Sequence, residues 1–454
     1  MDFLKSNVPF PDLGELSSAT VTKLGSLIKS DPLLLKNATE MFTQAGSKQN
    51  LGSFLSNLSK LTRTAPTYNA DAKGTSGGSL GILTNLIEPY VKTPAGQAFF
   101  QNEQVDQAFQ AILKDWTVYL QSPESANVLN DQPGGWFSSE ALSDERLKDF
   151  EDDFECNIKT DHWGFKSFDD FFTRRLRDGR RPVADPEDDT IIVSPCDATK
   201  FLIQNDIQSN DTFDIKSQQY SLSKMLDGDE RANDFIGGTI YQAYLGPMNY
   251  HRWHAPVSGK ITGIKNIRGG FNPMVYLGKD AAGSSTDSQT GAGSDYPGLK
   301  GVRGAWNPMS SLPQDAIPSG KSQKEAESDY PGLKGVVRGG WNPMSNLPQD
   351  AIPPSASALT YAAHEATRTL IFIDNKKLGT VACVFGGIME RSSCEPTVSV
   401  GVDVSKGDQL GLFHFGGSTH CLIFRPEIKL SWTAGDDVKV NQKLLSLPPP
   451  ASVQ

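Results

Sequence analysis

The spacing of apolar residues changes along the chain and separates a helical part from a β-rich part. Up to about residue 125, apolar positions recur three and four residues apart, which places them on one face of an α-helix. The clearest stripe runs from Val105 to Leu120. Asp31 followed by Pro32 predicts another helix start, because an aspartate cap and a proline at the first position both favour initiation. These stripes indicate packing surfaces rather than binding sites.

From Ile191 onward, apolar residues fall in short runs rich in Val, Ile, Phe, Tyr and Thr, separated by Gly, Pro, Asn and Asp. Such runs predict β-strands. The predicted strands are Ile191–Val193, Thr239–Leu245, Lys260–Ile267, Thr369–Ile373, Gly379–Phe385 and Leu422–Phe424. We therefore predict an α+β fold, with a helical N-terminal domain over 1–150 and a mostly β domain over 151–454.

A stretch rich in Gly, Pro and Ser interrupts the β domain over about 270–358. Three similar segments, each ending in Asn-Pro-Met, begin at Ile267, Val302 and Val337 with a period of 35 residues. A fixed period can indicate a solenoid, but this unit has no apolar stripe that could stack on a neighbour. We expect a duplicated and largely disordered surface insert, with a gene-model artefact as the alternative. A shorter Gly-rich loop is expected over Gly74–Gly81.

Composition limits the partners and the compartment. The formal net charge of −10 argues against nucleic acid and an anionic membrane surface as partners. The longest apolar stretch, near Val381–Met389, is far shorter than the roughly 20 residues of a transmembrane helix. The five cysteines show no Cys-x-x-Cys spacing, so neither a disulfide framework nor a zinc site is expected. The chain starts without a secretion-signal pattern, and we expect a cytoplasmic protein.

Four of the six histidines lie in two segments, Tyr250-His-Arg-Trp-His-Ala-Pro-Val-Ser-Gly259 and Phe413-His-Phe-Gly-Gly-Ser-Thr-His420. Two histidines three residues apart are usually hydrogen-bonded structural residues, and Gly-Gly-Ser-Thr is usually a turn. A metal site is disfavoured because no carboxylate or cysteine stands at ligand spacing. Neither segment decides a function when taken separately.

Together the two segments resemble the pyruvoyl-dependent phosphatidylserine decarboxylase family. That family carries Tyr-His-Arg-x-His-x-Pro followed by a glycine, and a C-terminal Gly-Ser-Thr at which the precursor cleaves itself. Two further segments are similar to family elements: Ser167–Pro182 to Phe-Phe-x-Arg-x-Leu…Arg-Pro, and Ser194-Pro-Cys-Asp197 to Ser-Pro-x-Asp-Gly, with Ala198 replacing the glycine. The resemblance covers roughly residues 150–454 apart from the insert.

The resemblance implies self-cleavage between residues 417 and 418. Ser418 would attack the carbonyl of Gly417, whose missing Cβ permits a strained backbone. His254 would be the base and Asp197 its orienting partner, in the manner of a Ser-His-Asp triad. His251 would be the acid that reprotonates the substrate. The small chain 418–454 would stay bound as a partner of the large chain.

The cofactor implied is a covalent pyruvoyl group formed from Ser418, with neither pyridoxal phosphate nor a metal. Its carbonyl would form a Schiff base with the substrate amine and accept electrons as CO₂ leaves. Whether His414 and His420 line the pocket or are structural stays open.

Two substrates are compatible with the family. The long helical region and the run around Phe415 resemble soluble fungal members that decarboxylate free amino acids, including tryptophan. Gly416 stands where lipid-acting members usually have leucine or phenylalanine. We therefore prefer a free L-amino acid, above all an aromatic one. Phosphatidylserine, giving phosphatidylethanolamine, is the alternative, and a non-catalytic interaction module is a second alternative.

Overall fold

The computed structural model describes residues 10–69, 82–144, 146–147, 149–207, 213–215, 218–246, 248–269, 363, 366–388, 394–430 and 437–446. The loop expected over Gly74–Gly81, the repeat insert expected over about 270–358 and His364 lie outside these residues.

The N-terminal part is helical, as predicted. Its helices are α1 (Ala19–Ser30), α2 (Pro32–Gln44), α3 (Leu51–Leu61), α4 (Ile82–Val91), α5 (Pro94–Phe100) and α6 (Glu103–Leu120). The Asp31 carboxylate accepts the backbone N–H groups of Leu33 and Leu34 at the start of α2, which compensates donors that have no partner within the helix. Helix α6 buries the predicted stripe from Val105 to Leu120.

Short helices connect this part to the β-rich part. They are α7 (Ser139–Leu142), α8 (Phe150–Asp153), α9 (Phe168–Phe172) and, between strands, α10 (Leu222–Met225). The Ser167 side chain caps α9 by accepting the backbone N–H of Asp170. Helix α9 buries Phe168, Phe171 and Phe172, so it is fixed by aromatic packing rather than by its length.

An antiparallel sheet of eight strands forms the centre of the β-rich part. Across the sheet its strands are β11 (Asp403–Val404), β7 (Gly259–Ile267), β8 (Arg368–Asn375), β9 (Gly379–Ile388), β13 (Gly417–Phe424), β5 (Thr239–Leu245), β2 (Ala198–Asn205) and β14 (Asp437–Val438). Strand β13 is therefore an interior strand, and its residues from Ser418 to Phe424 pair with β5.

Smaller sheets complete the described strands. A three-stranded sheet has the order β10 (Cys394–Pro396), β12 (Gln409–Phe413) and β6 (Arg252–His254). Two-stranded pairs are formed by β1 (Ile191–Val193) with β15 (Lys443–Ser446), and by β3 (Phe213–Ile215) with β4 (Gln218–Tyr220).

The large sheet is buried on both faces, with a different cover on each. Side chains alternate between the faces of a strand. In β13, Cys421 and Ile423 belong to the core shared with the helices. Leu422 and Phe424 belong to a second core, which also contains Trp253 of the three-stranded sheet. The order of layers is thus helices, large sheet, small sheet, and the predicted α+β class is confirmed.

The predicted strands correspond to β1, β5, β7, β8, β9 and the end of β13. Strand β13 begins five residues earlier than predicted, at Gly417, because Gly417 pairs with β9 and the Ser-Thr-His run that follows is paired on both sides despite its polar composition. The described residues fall in one compact unit, and the domain boundary at residue 150 stays a prediction. No helix among the described residues is both long and apolar enough to cross a bilayer.

Candidate active site

Ser418 is the second residue of β13 and is held in register from both sides. It pairs with Gly387 of β9 and with Leu245 of β5. Alternation along β13 places Ser418 and His420 on the face that carries Leu422, toward the small sheet. The Ser418 hydroxyl is fully buried and has no hydrogen-bond partner among the described residues. A buried hydroxyl without a partner costs free energy, so Ser418 is a candidate for a reacting group.

The backbone turns sharply just before this serine. Gly416 has φ 132, a conformation essentially restricted to glycine. Gly417, which was expected to carry the strain, is instead the first residue of the paired strand. After the serine, the Thr419 hydroxyl donates to the Ala243 carbonyl at 2.8 Å, fixing the strand on its opposite face.

His251 lies directly before β6, in an aromatic and fully buried environment. Its ring stacks on Phe172 of α9, with ring centroids 3.9 Å apart. Neither ring nitrogen has a hydrogen-bond partner in the described part of the chain. Burial, together with the positive charge of Arg174, holds the pKa of His251 well below its usual value. His251 is therefore neutral at pH 7.

His254 has a defined tautomer. Its Nδ1 lies 2.6 Å from the carbonyl oxygen of Gly407, and its Nε2 lies 2.9 Å from the Tyr250 hydroxyl. A carbonyl can only accept, so Nδ1 carries the proton and Nε2 accepts from Tyr250. Burial lowers the pKa of His254. The result is a neutral imidazole whose basic nitrogen is Nε2, the form that a general base requires.

Asp197 lies near His254 but does not bond to it. One carboxylate oxygen accepts the backbone N–H of Val440 at 2.7 Å. The other lies 3.7 Å from Arg181 Nη2 and 3.6 Å from Lys439 Nζ. Both ring nitrogens of His254 have other partners, so the expected Asp197–His254 hydrogen bond is not formed. The Gly407 carbonyl fixes the tautomer, and Asp197 acts on the ring through its charge, which raises the pKa of His254 against the effect of burial.

The structure thus brings the expected site residues together in two groups. Asp197 and His254 form one, because the backbone N–H of His254 donates to the carbonyl of Pro195, two residues before Asp197, at 2.8 Å. His251 belongs to the other, because the Phe172 ring that it stacks on also contacts Phe415, three residues before Ser418. The Ser418 hydroxyl bonds to neither histidine.

Several contributors to this region were not predicted from sequence. Tyr250 was quoted only as part of a motif, and its hydrogen bond to His254 was not predicted. The signal that could have indicated it is its position four residues before His254, close enough for a bend to bring the two side chains together. The Gly407 carbonyl offers no side-chain signal at all. His420, left open above, has a buried ring without hydrogen-bond partners in the described chain, and burial lowers its pKa to about 3. No group of three or more His, Cys, Asp or Glu among the described residues could hold a metal ion.

Comparison with known proteins identifies the same family over the helical part and over the β-rich part of the chain. A family model described as phosphatidylserine decarboxylase matches residues 168–287 and 336–446. A second model with the same description matches residues 18–145. The chain is 33% identical to decarboxylase iboD of Amanita muscaria, over 80% of this chain and 91% of that protein.

Two further relatives bear on the substrate. The chain is 30% identical to the L-tryptophan decarboxylase of Psilocybe cubensis, over 94% of this chain and 86% of the relative. It is 28% identical to phosphatidylserine decarboxylase proenzyme 3 of Schizosaccharomyces pombe, over 58% of this chain and 19% of the relative.

A charge change at Asp197 should report its coupling to His254. In Asp197→Asn the amide oxygen can still accept the Val440 N–H, but the negative charge is gone. We expect the pKa of His254 to fall further, because the charge that favours the imidazolium is removed. NMR titration of the histidines in a Ser418→Ala background measures it. Asp131→Asn, at an exposed carboxylate of the helical part, should leave the pKa unchanged. An unchanged or raised pKa in Asp197→Asn would contradict the coupling.

Proposed function

This chain belongs to the phosphatidylserine decarboxylase family and is a carboxy-lyase, and we propose that it activates itself by cleavage before Ser418 and then decarboxylates a free aromatic L-amino acid. Self-cleavage is supported by the buried hydroxyl of Ser418, the residue directly after Gly417, which has no hydrogen-bond partner among the described residues. Membership of an enzyme family excludes the alternative of a non-catalytic interaction module.

The cleavage balances with water as its only co-reactant. Ser418 Oγ attacks the Gly417 carbonyl carbon, and the peptide C–N bond breaks as the acyl group moves to the oxygen. Loss of the α-proton of residue 418 and of the Gly417 carboxylate leaves a dehydroalanine. This tautomerises to an imine, takes up one water and releases ammonia, leaving a pyruvoyl group on residue 418. No oxidant or metal enters the sequence.

His254 is the proposed base for this attack. It is neutral and has its lone pair on Nε2, so it can accept a proton at pH 7. Because Tyr250 donates to that nitrogen, either the hydroxyl moves aside or Tyr250 passes its own proton to Nε2 while taking one from Ser418. Burial raises the pKa of Tyr250, so the phenol is protonated and suited to this relay. Asp197 would stabilise the imidazolium through its charge.

The residues around position 418 fit the pyruvoyl group expected there. When formed, the group supplies a carbonyl that accepts electrons as CO₂ leaves. It would lie on the buried face of β13, from which bulk water is excluded. The ring of His420, which has no hydrogen-bond partner within the described ranges, shares that face. His251 is the proposed proton donor, and since its ring is neutral in the uncut chain, it must hold the proton as its single N–H.

The similarity to known proteins supports a free amino acid as substrate. The relative named L-tryptophan decarboxylase is similar over 94% of this chain, whereas the phosphatidylserine decarboxylase proenzyme 3 is similar over 58%. Phosphatidylserine is the second candidate, favoured by the description of both family models. A cytoplasmic location and retention of the 418–454 chain stay predictions.

Cleavage should separate the chain into residues 1–417 and a small chain of 37 residues. Intact mass spectrometry should show the small chain lighter by one ammonia than simple hydrolysis would give, because its N-terminus carries the pyruvoyl group. Ser418→Ala should stay uncut, since alanine has no hydroxyl to attack Gly417. Ser405→Ala, at a serine away from the cleavage site, is the matched control and should be cut. An uncut wild-type protein would refute self-processing.

The substrate should be identified by CO₂ release from the processed enzyme. We expect release from L-tryptophan or another aromatic L-amino acid, and none from phosphatidylserine in mixed micelles. Ser418→Ala controls for contaminating activity with each substrate. Turnover of phosphatidylserine alone would establish the second candidate instead.

The two histidines of the Tyr250–His254 segment should separate cutting from turnover. His251→Ala should be cut but should release CO₂ about 10²- to 10⁴-fold more slowly, the contribution of a general acid. His254→Ala should stay uncut, because the base is lost. His162→Ala, at a histidine outside the site, is the control and should be cut and release CO₂ as wild type does. Chain cutting and CO₂ release are measured in parallel for each variant. An uncut His251→Ala protein would contradict the assignment of cutting to His254 and turnover to His251.

A further inference from the structure

His414, four residues before Ser418, lies between two carboxylates. Its Nδ1 is 2.8 Å from Asp169 Oδ2, and its Nε2 is 2.9 Å from Glu395 Oε2. Carboxylates accept hydrogen bonds, so the ring can satisfy both only by donating from both nitrogens, as an imidazolium. Asp169 is buried, whereas the Glu395 side chain is 57% exposed. The two carboxylates lie on opposite ends of the ring, an arrangement that fixes its position and orientation.

These contacts join segments that are distant in sequence. Asp169 belongs to α9, Glu395 belongs to β10, and the neutral Gln121 amide at the end of α6 lies 3.5 Å from His414 Nδ1. Asp169 and Glu395 are the charged groups that face the ring from these elements. His414 therefore links the helical layer and the small sheet to the end of β12.

The next residue is anchored to the same helical layer. The Phe415 ring packs against Trp116, Phe168 and Phe172, at centroid distances of 5.2, 5.5 and 5.4 Å. Gly416 then makes its turn, and Gly417 opens β13. Two fixed residues thus precede a turn that only glycine makes easily, and the paired strand follows. The Gly417–Ser418 peptide is held from both ends.

We propose that His414 is a positioning residue for self-cleavage, which fastens the segment before the Gly417–Ser418 bond to Asp169 and Glu395 so that the Gly417 carbonyl stays within reach of Ser418. This inference rests on the proposed self-processing function. It gives the helical N-terminal part a role in maturation, because α6 contributes Trp116 to the packing of Phe415 alongside α9. His414 itself touches neither reacting residue in a hydrogen bond.

The two contacts of His414 with Asp169 and Glu395, here called the clamp, make maturation depend on pH in a particular direction. Burial alone lowers the pKa of His414, but the hydrogen bonds and charges of Asp169 and Glu395 outweigh it, and the pKa is raised above its usual value. The clamp is therefore complete below the raised pKa and is lost as pH rises through it. The base His254 works in the opposite sense, since it becomes available as pH rises through its lowered pKa. The cutting rate should have an acid limb set by His254 and an alkaline limb set by His414.

The test follows the fraction of cut chain over time after cell-free synthesis at a series of pH values. His414→Gln and Asp169→Asn should be cut about tenfold or more slowly than wild type, because each removes a charge-assisted hydrogen bond from the clamp. Glu395→Gln should keep a near wild-type rate at low pH while its alkaline limb moves to lower pH. Asp170→Asn removes the exposed neighbouring carboxylate of α9 and should change neither rate nor limb.

Each variant is also made with Ser418→Ala, and its thermal unfolding is compared with that of Ser418→Ala alone to separate positioning from misfolding. If wild type is cut and His414→Gln is cut at the same rate with the same alkaline limb, the inference is overturned while self-processing stands. An uncut wild type would overturn both. If His414→Gln fails to fold, the Glu395→Gln profile decides: a shifted alkaline limb supports the clamp, and an unshifted one refutes it.

Discussion

The pairing of β13 on both sides is the constraint on which the rest of the site depends. A reacting serine on a loop could approach its target by moving, but Ser418 is fixed by ladders to Gly387 and Leu245. The carbonyl that it is proposed to attack belongs to Gly417, which pairs with Ile388 of β9, so the orientation of that carbonyl depends on the segment that leads into β13. This explains why the turn is placed at Gly416 and why the residues before it are anchored so firmly. The fold has already ordered the Ser418 hydroxyl and the Gly417 carbonyl, so the proposed attack would not have to include the entropy cost of arranging them.

Burial then sorts the histidines into two electrostatic classes. His251, His254 and His420 face carbonyls, hydroxyls or aromatic rings, and burial keeps them neutral. For His254, burial outweighs the Gly407 carbonyl and the Asp197 charge, which both favour the charged ring. His414 is also buried but meets two carboxylates, and its charged form is favoured. The same side chain thus serves as a proton acceptor or as a fixed cation, and the partners decide which. A single charged histidine among neutral ones gives the site an anchor without removing its bases.

The sequence predicted the elements whose signal is local. The Asp31–Pro32 start of α2, the stripe of α6 and six strands follow from spacing and composition within a dozen residues. The site contacts are not local. Asp169 lies 245 residues from His414, and Val440 lies 243 residues from Asp197. The motif led us to expect that Asp197 would orient His254, but the Gly407 carbonyl does so from 153 residues away. Because every residue has a carbonyl, no residue type could have indicated it.

The position of the anchor also bears on why the helical part accompanies the β-rich part. If the helices were only an appendage, the segment before Ser418 would be supported by the sheets alone. Instead Trp116 of α6 and Phe172 of α9 pack against Phe415, and Phe172 also stacks on His251. One aromatic ring thus contacts both the segment proposed to be cut and the histidine proposed to donate a proton after cutting. Moving α9 would disturb both proposed steps at once, so on this proposal the helical layer and the β-rich layers are needed together.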